Sequence, residues 1–527
     1  MKKLKLGILQ VNHDKSEDIG DRFPDDAHRF RDLFDSLESR FNYRIYMTIG
    51  NELPENINDQ DAYLITGSPL SVRDHHSFSD GLYNFIRDCD LNKKPLIGSC
   101  FGHQAIAVAL GGSVTKSEIK WNVGVEETKF KNFMPWMSPE KSLSLYVFHE
   151  DQVSLMPKGC KLLGSTQNCK ISSFSKGNHI FTTQAHPEFD YMFMKTIVEK
   201  YEEMLGPKIF KNAIDSLMNE KENIWEIFNS SGKPKSLSRN ITKASIKYNY
   251  FNKLERYALL RGKDWSDTKR EEFFSYRDKM DLNDSDLSLF EPYITYLMNY
   301  FNEKTLGSGK AYFNEKNNTD FNIKKLLIID SQITDQSLKN NLARATAIEE
   351  ILNFKNNDYH EEFINYYTYV NSSEQYLNEI TKLYNDIEKM KKGNFLPNIE
   401  IIDYNGEIKS SSNELRGSKS LIYFWSQTQM NHYRRTIRRI DELKENYPDY
   451  RFIGICIQPY TDMVSQAQNI LNLDLSNQFS FKDFERSSKK WVLTYLNKTI
   501  IIDQKVNIID GFSNLFTNEI ENILKEN

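Results

Sequence analysis

The sequence has few cysteines, and no two of them stand at metal-binding or redox spacing. Its 527 residues contain five, namely Cys89, Cys100, Cys160, Cys169 and Cys456. An odd number without a Cys-x-x-Cys motif is typical of a reducing compartment. We therefore expect no disulfide framework, no zinc or other metal site, no cofactor, and a cytoplasmic location.

Long apolar runs and a strong excess of one charge are also missing. No run approaches the ~20 apolar residues of a membrane-spanning helix, and the net charge is only −5. We therefore expect neither a membrane nor a nucleic acid as partner, because the chain has no bulk attraction to an anionic surface. Residues 1–10 carry a short, interrupted apolar stretch, which predicts a first core strand rather than a secretion signal.

The most informative stretch runs from Pro95 to Gln104. A short apolar run reaches Gly98, Cys100 follows in a Gly-x-Cys-x-Gly turn, and a helical pattern then begins. Strand, tight turn and helix in this order are typical of a nucleophile elbow, here with sulfur in place of a hydroxyl. Glycines are expected on both sides of Cys100 because a side chain there would collide with a neighbouring element. A sulfur at a helix N-terminus is favoured as thiolate.

A base with an orienting acid follows a second predicted strand. The strand pattern Ile180–Gln184 runs into Ala185-His186-Pro187-Glu188. In an extended segment residues i and i+2 point the same way, so the Glu188 carboxylate can reach the His186 ring. A lone cysteine is most often a buried apolar residue, and a lone histidine is usually structural. The elbow, the spacing and the strand-end positions together favour a triad of nucleophile, base and orienter.

These segments resemble the signatures of class I glutamine amidotransferases. Gly-Ser-Cys-Phe-Gly-His-Gln around Cys100 and His-Pro-Glu at His186 are similar to the two main motifs, and the resemblance covers roughly the first two-fifths of the chain. Thr66–Val72 is similar to the oxyanion loop, although Ser68 stands where the family usually has a second glycine. Phe148–Val153 resembles the His-x-Asp-x-Val substrate segment. The likeness is greatest to the amidotransferase half of GMP synthase, in a group that includes γ-glutamyl peptidases.

The resemblance implies a role for each matching residue. Cys100 would be the nucleophile, His186 the base and Glu188 its orienter. Backbone N–H groups of the Gly67-Ser68 loop and of Phe101 would stabilise the oxyanion. The substrate's amino-acid end would be held by three candidates, Gln104, His149 and Asp151. For His149 a structural role is an equal alternative.

The length and the order of strand and helix patterns predict an α/β protein of about three domains. From residue 1 to 230, strands alternate with helices, which predicts an amidotransferase-like, mainly parallel sheet with helices on both faces. The predicted strands are Leu6–Val11, Tyr43–Met47, Ala62–Ile65, Leu96–Gly98, Leu145–Phe148 and Ile180–Gln184, and the helices are Asp26–Phe41, Gly81–Asp90 and Tyr191–Glu203. Asn229–Ser236 has the composition of a linker. A helical domain is predicted for 240–392.

Residues 393–527 resemble thioredoxin-like thiol-disulfide oxidoreductases. Strand patterns at Leu421–Trp425, Phe452–Ile457 and Thr499–Asp503 surround a helix over His432–Asn446. Gln429-Met430-Asn431-His432 stands where the family has Cys-x-x-Cys, and Asn497 where it has a cis-proline. Thiol exchange needs a thiolate, so this domain is expected to be redox-inert.

Three functions follow as hypotheses. The first is a glutamine amidotransferase-type hydrolase that releases ammonia from glutamine through a Cys100 thioester, for an acceptor on a separate synthetase. No Ser-Gly-Gly-x-Asp-Ser loop for ATP occurs in this chain. The second is a γ-glutamyl peptidase that acts on glutathione-like molecules. The third is a module that binds a partner through the redox-inert domain, with an incidental triad.

Overall fold

The computed structural model describes every residue except 1–2, 15, 17, 38–39, 139, 233–235, 308, 317, 353–359 and 460–474. The chain forms two compact units, residues 1–280 and 281–527. Among the described residues, no helix combines the length and the apolarity needed to cross a bilayer.

The described part of the first unit is built on a nine-stranded sheet in the order β2-β1-β3-β4-β11-β10-β9-β6-β7, with β5 and β8 forming a separate pair. The first five strands in this order are parallel, and the remaining four pair antiparallel. The strands are β1 (Leu4–Leu9), β2 (Phe41–Tyr46), β3 (Ala62–Ile65), β4 (Leu96–Ser99), β5 (Ser113–Lys116), β6 (Asn122–Phe130), β7 (Ser142–His149), β8 (Asp151–Leu155), β9 (Cys160–Ser165), β10 (Ser173–Lys176) and β11 (Ile180–Thr183).

Helices cover both faces of the parallel strands, as predicted. Successive side chains of a strand point to opposite faces, so Ile8 packs in one core with Phe30, whereas Leu9 packs in another with Ile86 and Ile106. The helices of this unit are α1 (Asp26–Asp35), α2 (Ser79–Leu91), α3 (Phe101–Ala109), α4 (Tyr191–Lys200), α5 (Pro207–Gly232), α6 (Ser236–Arg261) and α7 (Asp267–Phe273). Helix α1 is shorter than predicted, because Phe41 already begins β2.

The mostly parallel sheet agrees with the prediction, but the sheet also has an antiparallel part, formed by β10, β9, β6 and β7. Of its strands only β7 was expected in part, as Leu145–Phe148. Strand β6 carries a run of polar side chains, Glu126–Lys129, and is only partly buried. Such a pattern gives no buried-strand signal.

The predicted linker at Asn229–Ser236 is largely helical. Residues 229–232 complete α5 and Ser236 begins α6, and residues 233–235 lie outside the described part of the chain. Small polar residues are tolerated at the ends of exposed helices, so composition alone misplaced this boundary.

The second unit contains a seven-stranded mixed sheet in the order β13-β12-β16-β15-β14-β17-β18. Its strands are β12 (Glu400–Asp403), β13 (Ile408–Ser410), β14 (Ser420–Trp425), β15 (Arg451–Cys456), β16 (Gln478–Phe481), β17 (Thr499–Ile502) and β18 (Ile508–Asp510). Its helices are α8 (Glu291–Leu306), α9 (Tyr312–Glu315), α10 (Thr319–Gln332), α11 (Gln336–Leu352), α12 (His360–Val370), α13 (Glu374–Lys389), α14 (Ser411–Glu414) and α15 (Met430–Asn446), followed by Phe484–Lys490 and Glu519–Glu526.

The predicted domains 240–392 and 393–527 do not have separate cores. Buried residues of α10 to α13, among them Leu326 and Phe363, share one cluster with Ile422 and Phe424 of β14. Helices α6 and α7, in contrast, belong to the first unit. The boundary therefore falls at Met280 rather than near residue 235, because amphipathic helices join whichever sheet or helix buries their apolar face.

Candidate active site

Cys100 lies in a strained turn between β4 and α3. Its backbone has φ +47° and ψ −101°, a conformation that costs a non-glycine residue of order 1–3 kcal/mol and is typical of functional sites. The Cys100 N–H donates to the Thr183 carbonyl at 2.9 Å, which ties the turn to the end of β11. The nucleophile-elbow geometry expected from the sequence is thus present.

Two glycines make this turn possible. A Cβ on Gly98 would lie 2.6 Å from the Gly102 carbonyl carbon and oxygen, and one on Gly102 would lie 2.4 Å from the Ile65 carbonyl oxygen. Both distances are shorter than any real Cβ contact, so α3 can approach β3 and β4 this closely only without side chains at these positions.

His186 lies beside Cys100 because their strands are neighbours. Strands β4 and β11 are parallel and in register, with Ser99 opposite Thr183, so the segments that follow them emerge at the same sheet edge. His186 Nδ1 is 2.7 Å from Glu188 Oε1, which leaves Nε2 for the sulfur. The Phe189 ring stacks on the imidazole at 4.0 Å between centroids and fixes its plane.

The charge state of His186 is set by its two neighbours. Burial disfavours the imidazolium, but the Cys100 sulfur and the Glu188 carboxylate outweigh burial and raise the pKa of His186 to about 10. A protonated His186 beside Cys100 is the pairing that favours a thiolate. In addition, the Gln184 side-chain amide donates to the Cys100 sulfur at 3.6 Å.

The predicted oxyanion loop lies directly against this pair. A Cβ on Gly67 would lie 2.8 Å from His186 Cε1 and 3.6 Å from Cys100 Cβ, so only glycine fits. The Ser68 hydroxyl accepts a hydrogen bond from the Leu70 N–H at 3.2 Å, which holds the loop despite the missing second glycine. The N–H groups of Ser68 and Phe101 have no acceptor among the residues that the structure describes, as required of oxyanion donors in a free enzyme.

The three predicted substrate-binding residues meet in one hydrogen-bonded cluster. The Gln104 amide donates to the Asp151 carbonyl at 2.8 Å and to Gln184 Oε1 at 3.2 Å. His149 Nδ1 donates to the same carbonyl at 3.0 Å. Burial lowers the pKa of His149 to about 4, so this ring is neutral.

The Asp151 carboxylate already has two partners. The Ser71 hydroxyl donates to one oxygen, and Arg73 Nε donates to the other at 2.9 Å. The Asp151 side chain therefore shapes the site through its hydrogen bond to the predicted oxyanion loop. Direct binding of a substrate would fall to other groups.

A single cavity of about 360 Å³ connects these groups. Its volume lies within the range of small-molecule pockets, about 300–1,000 Å³. The described residues contain no cluster of three or more metal-ligating side chains. Cys100, His186, Gly67, Ser68, Gln104, His149 and Asp151 all line the cavity.

One wall of this cavity was not predicted from the sequence. The segment after β1 contributes Asn12, Phe23, Asp26 and Arg29. Asn12 Nδ2 donates to Asp26 Oδ2 at 3.0 Å, and Arg29 pairs with the other Asp26 oxygen. No local motif marks these residues. However, the segment follows the carboxyl end of β1, a parallel strand beside β3, and functional sites commonly lie at that end of a parallel sheet.

The comparisons with known proteins concern the part of the chain that holds this site. Residues 33–197 match the family model described as glutamine amidotransferase class-I. γ-Glutamyl peptidase 3 of Arabidopsis thaliana is 27% identical over 170 residues, which cover 30% of this chain and 66% of that protein. One component of the glutamine-hydrolysing GMP synthase of Sulfurisphaera tokodaii is 29% identical over 169 residues, which cover 31% of this chain and 79% of that protein.

These findings support a class I glutamine amidotransferase domain, as the motifs around Cys100 and His186 predicted. The chain spans just under two thirds of the length of the Arabidopsis peptidase. For the C-terminal region, the crystal structure of the thioredoxin domain of a thiol-disulfide oxidoreductase from Bacteroides vulgatus covers 25% of this chain and 98% of that chain, with 16% identity and a TM-score of 0.22. With a score this low, the thioredoxin-like fold stays a prediction.

Proposed function

We propose that the first unit hydrolyses the side-chain amide of glutamine through a thioester on Cys100. The observation that supports this proposal is that Cys100, His186 and Ser68 line one cavity, with Glu188 hydrogen-bonded to His186. The N–H groups of Ser68 and Phe101 have no acceptor among the described residues. Nucleophile, base, orienter and oxyanion donors are the complete set that acyl transfer requires.

Acylation begins with the thiolate of Cys100. The sulfur attacks the amide carbon, a C–S bond forms, and the carbonyl oxygen becomes an oxyanion between the N–H groups of Ser68 and Phe101. Each such donor contributes on the order of 3 kcal/mol to the barrier reduction. The protonated His186 then gives its proton to the departing nitrogen as the C–N bond breaks and ammonia leaves.

In deacylation His186 acts as a base rather than as an acid. Neutral His186 accepts a proton from water while the water oxygen attacks the thioester carbon. Glutamate leaves as the C–S bond breaks, and the thiolate and the imidazolium form again. Glu188 holds the ring by accepting the hydrogen bond from Nδ1.

Release of ammonia suggests a separate synthetase as acceptor. This chain has no ATP-binding loop of the GMP synthase type, so the acceptor would belong to another protein. The second unit would then serve for recognition, and its proposed redox-inert thioredoxin-like domain suits a binding role. A binding role for the chain as a whole, with an incidental triad, has less support, because His186 Nδ1 lies 2.7 Å from Glu188 Oε1 and His186 lines the same cavity as Cys100.

A γ-glutamyl peptidase is the second candidate, and one feature of the cavity favours it. Beyond the triad the lining becomes apolar, with Phe23, Phe193, Ile197 and Met204 among the lining residues. Ammonia needs no such wall, whereas the amine part of a γ-glutamyl peptide could pack against it. Both candidates use the same thioester and differ only in the leaving group.

The decisive test measures kcat/KM of the full chain for ammonia release from glutamine and for amine release from glutathione. We expect Cys100→Ala to abolish both activities and Cys160→Ala, which removes a half-buried thiol outside the cavity, to keep them. A preference for glutathione of more than about tenfold, or ~1.4 kcal/mol in the barrier, would favour the peptidase. Activity of Cys100→Ala within tenfold of wild type would exclude the proposed mechanism.

A further inference from the structure

Gln184, directly after β11, contacts the Cys100 sulfur from inside the protein. Its side-chain Nε2 lies 3.6 Å from Cys100 Sγ, and the residue is only 1% exposed. Its backbone N–H donates to the Ser172 carbonyl at 2.8 Å, which fixes this part of the chain. Among the described residues, Cys100 and His186 line the cavity but Gln184 does not. A substrate in the cavity would therefore approach the sulfur from the side that Gln184 leaves open.

A chain of hydrogen bonds fixes which end of the Gln184 amide faces the sulfur. The main-chain carbonyl of Asp151 can only accept, so the Gln104 amide must turn its NH2 group towards it, at 2.8 Å. The same NH2 group lies 3.2 Å from the Gln184 amide, which must therefore present its oxygen there. The NH2 group of Gln184 is left for Cys100. The sulfur thus receives a donor whose direction is set by a backbone carbonyl two hydrogen bonds away.

We propose that Gln184 is a catalytic residue that stabilises the Cys100 thiolate, and that Gln104 is the positioning residue that orients it. This role rests on the hydrolase function proposed above. A hydrogen bond to an ionised acceptor is stronger than one to a neutral acceptor, so the Gln184 amide favours the thiolate over the thiol and the thioester. It therefore acts before the attack, and again in deacylation, when the C–S bond breaks and its electron pair returns to the sulfur.

The first test measures how fast iodoacetamide alkylates Cys100 in the full-length protein from acid to alkaline pH, by mass spectrometry of the Cys100 peptide. Iodoacetamide reacts with the thiolate, and the reaction needs no turnover. Gln184→Met keeps a side chain of similar length but removes the donor. We expect the acid-side midpoint of the profile to rise by about one pH unit, or tenfold in the protonation equilibrium. A purely structural role would change the alkaline plateau and leave the midpoint at its wild-type value.

Gln478→Met is the matched control for this substitution. Gln478 is a buried glutamine of the second unit, 3% exposed, and its amide donates to the Tyr423 hydroxyl at 2.8 Å. The Cys100 profile of Gln478→Met should equal that of wild type. Cys160, the half-buried thiol outside the cavity, is the internal reference, and its own profile should be the same in every sample. Thermal melting monitored by circular dichroism checks that each variant is folded.

The second test uses Gln104→Met, alone and together with Gln184→Met. Gln104→Met leaves the donor in place but frees the Gln184 amide to turn, so we expect a smaller rise of the same midpoint. This variant also carries the test if Gln184→Met does not fold. The double variant should show no rise beyond that of Gln184→Met, because Gln104 acts on the sulfur only through Gln184.

The outcomes separate this inference from the proposed hydrolase function. An unchanged midpoint in folded Gln184→Met, or in Gln104→Met where Gln184→Met does not fold, would overturn the role of Gln184, whether or not the protein turns over glutamine. Additive rises in the double variant would overturn the orienting role of Gln104. The expected midpoints in a protein that releases no ammonia from glutamine would instead contradict the proposed function, and the assignment of the donor to the sulfur would stand.

Discussion

The Cys100–His186 pair depends on the charge of His186 as well as on the positions of the two side chains. His186 is buried, and burial alone would leave the ring neutral. The sulfur on one side and Glu188 on the other reverse this preference. In the mechanism that we propose, this imidazolium would be ready to protonate the leaving nitrogen before substrate binds.

This charge balance predicts a pH dependence of stability. The pKa of His186 in the folded protein, about 10, lies above its ordinary value of 6.5, so protonated His186 stabilises the fold fully below pH 6.5. That contribution is lost as the pH rises towards 10. Cys100→Ala removes the sulfur that helps to raise the pKa of His186, and we expect a flatter decline between these limits. Urea unfolding of wild type and Cys100→Ala across this pH range measures the decline in the free energy of unfolding. Parallel declines of the two proteins would contradict the assigned ion pair.

At Gly102 the turn that holds Cys100 packs closely against β3. Because a Cβ there would meet the Ile65 carbonyl oxygen at 2.4 Å, Gly102→Ala must push α3 away from β3. We expect a loss of about 1–3 kcal/mol in the free energy of unfolding together with a large loss of kcat. Gly50→Ala is the control, since its Cβ would meet nothing within 4 Å. Equal stability of the two variants in urea would show that the elbow tolerates a side chain.

The parts of the fold that the sequence predicted are those with local signals. Strands such as β4 and β11 are short apolar runs that end in a turn, and Cys100, His186 and Glu188 sit directly after them. The antiparallel strand β6 was missed because its exposed half is polar. Arg29 and Asn12 reach the cavity only because the segment after β1 folds over the sheet edge, which is a tertiary effect without a sequence pattern.

In the second unit, the residues at the expected thiol positions form a polar contact instead. His432 Nε2 lies 2.7 Å from Asn497 Oδ1, which joins the helix start to the position expected for the cis-proline. The sequence of this unit has one cysteine, Cys456 in β15, and burial raises the pKa of its thiol to about 11.

We therefore expect the full-length protein to show no disulfide reductase activity. In an insulin-reduction assay with dithiothreitol, its turnover should equal the reagent blank, and Cys456→Ala should give the same result. Turnover above the blank that Cys456→Ala removes would contradict the redox-inert interpretation.

The division of the chain predicts which fragment is autonomous. Tyr257 of α6 donates to the Leu205 carbonyl at 2.6 Å and stacks on Phe210 at 4.2 Å. A fragment of residues 1–230, the boundary suggested by the sequence, would lack Tyr257 and would therefore expose the buried Phe210 ring. We expect residues 1–280 to unfold cooperatively and to keep the hydrolase activity, and residues 1–230 to melt at a lower temperature. A 1–230 fragment as stable as 1–280 would show that α6 is dispensable.

The proposed chemistry of the whole molecule depends on a covalent bond to one sulfur. Rapid acid quench of the full-length protein during turnover of glutamine, followed by peptide mass spectrometry, detects that bond directly. The mechanism predicts one γ-glutamyl group on the peptide that contains Cys100, and none in Cys100→Ala. A larger modified fraction is expected in Glu188→Gln, because the base that activates water is poorly oriented there. Turnover without a modified Cys100, or modification at Cys89, Cys160 or Cys169 instead, would contradict it.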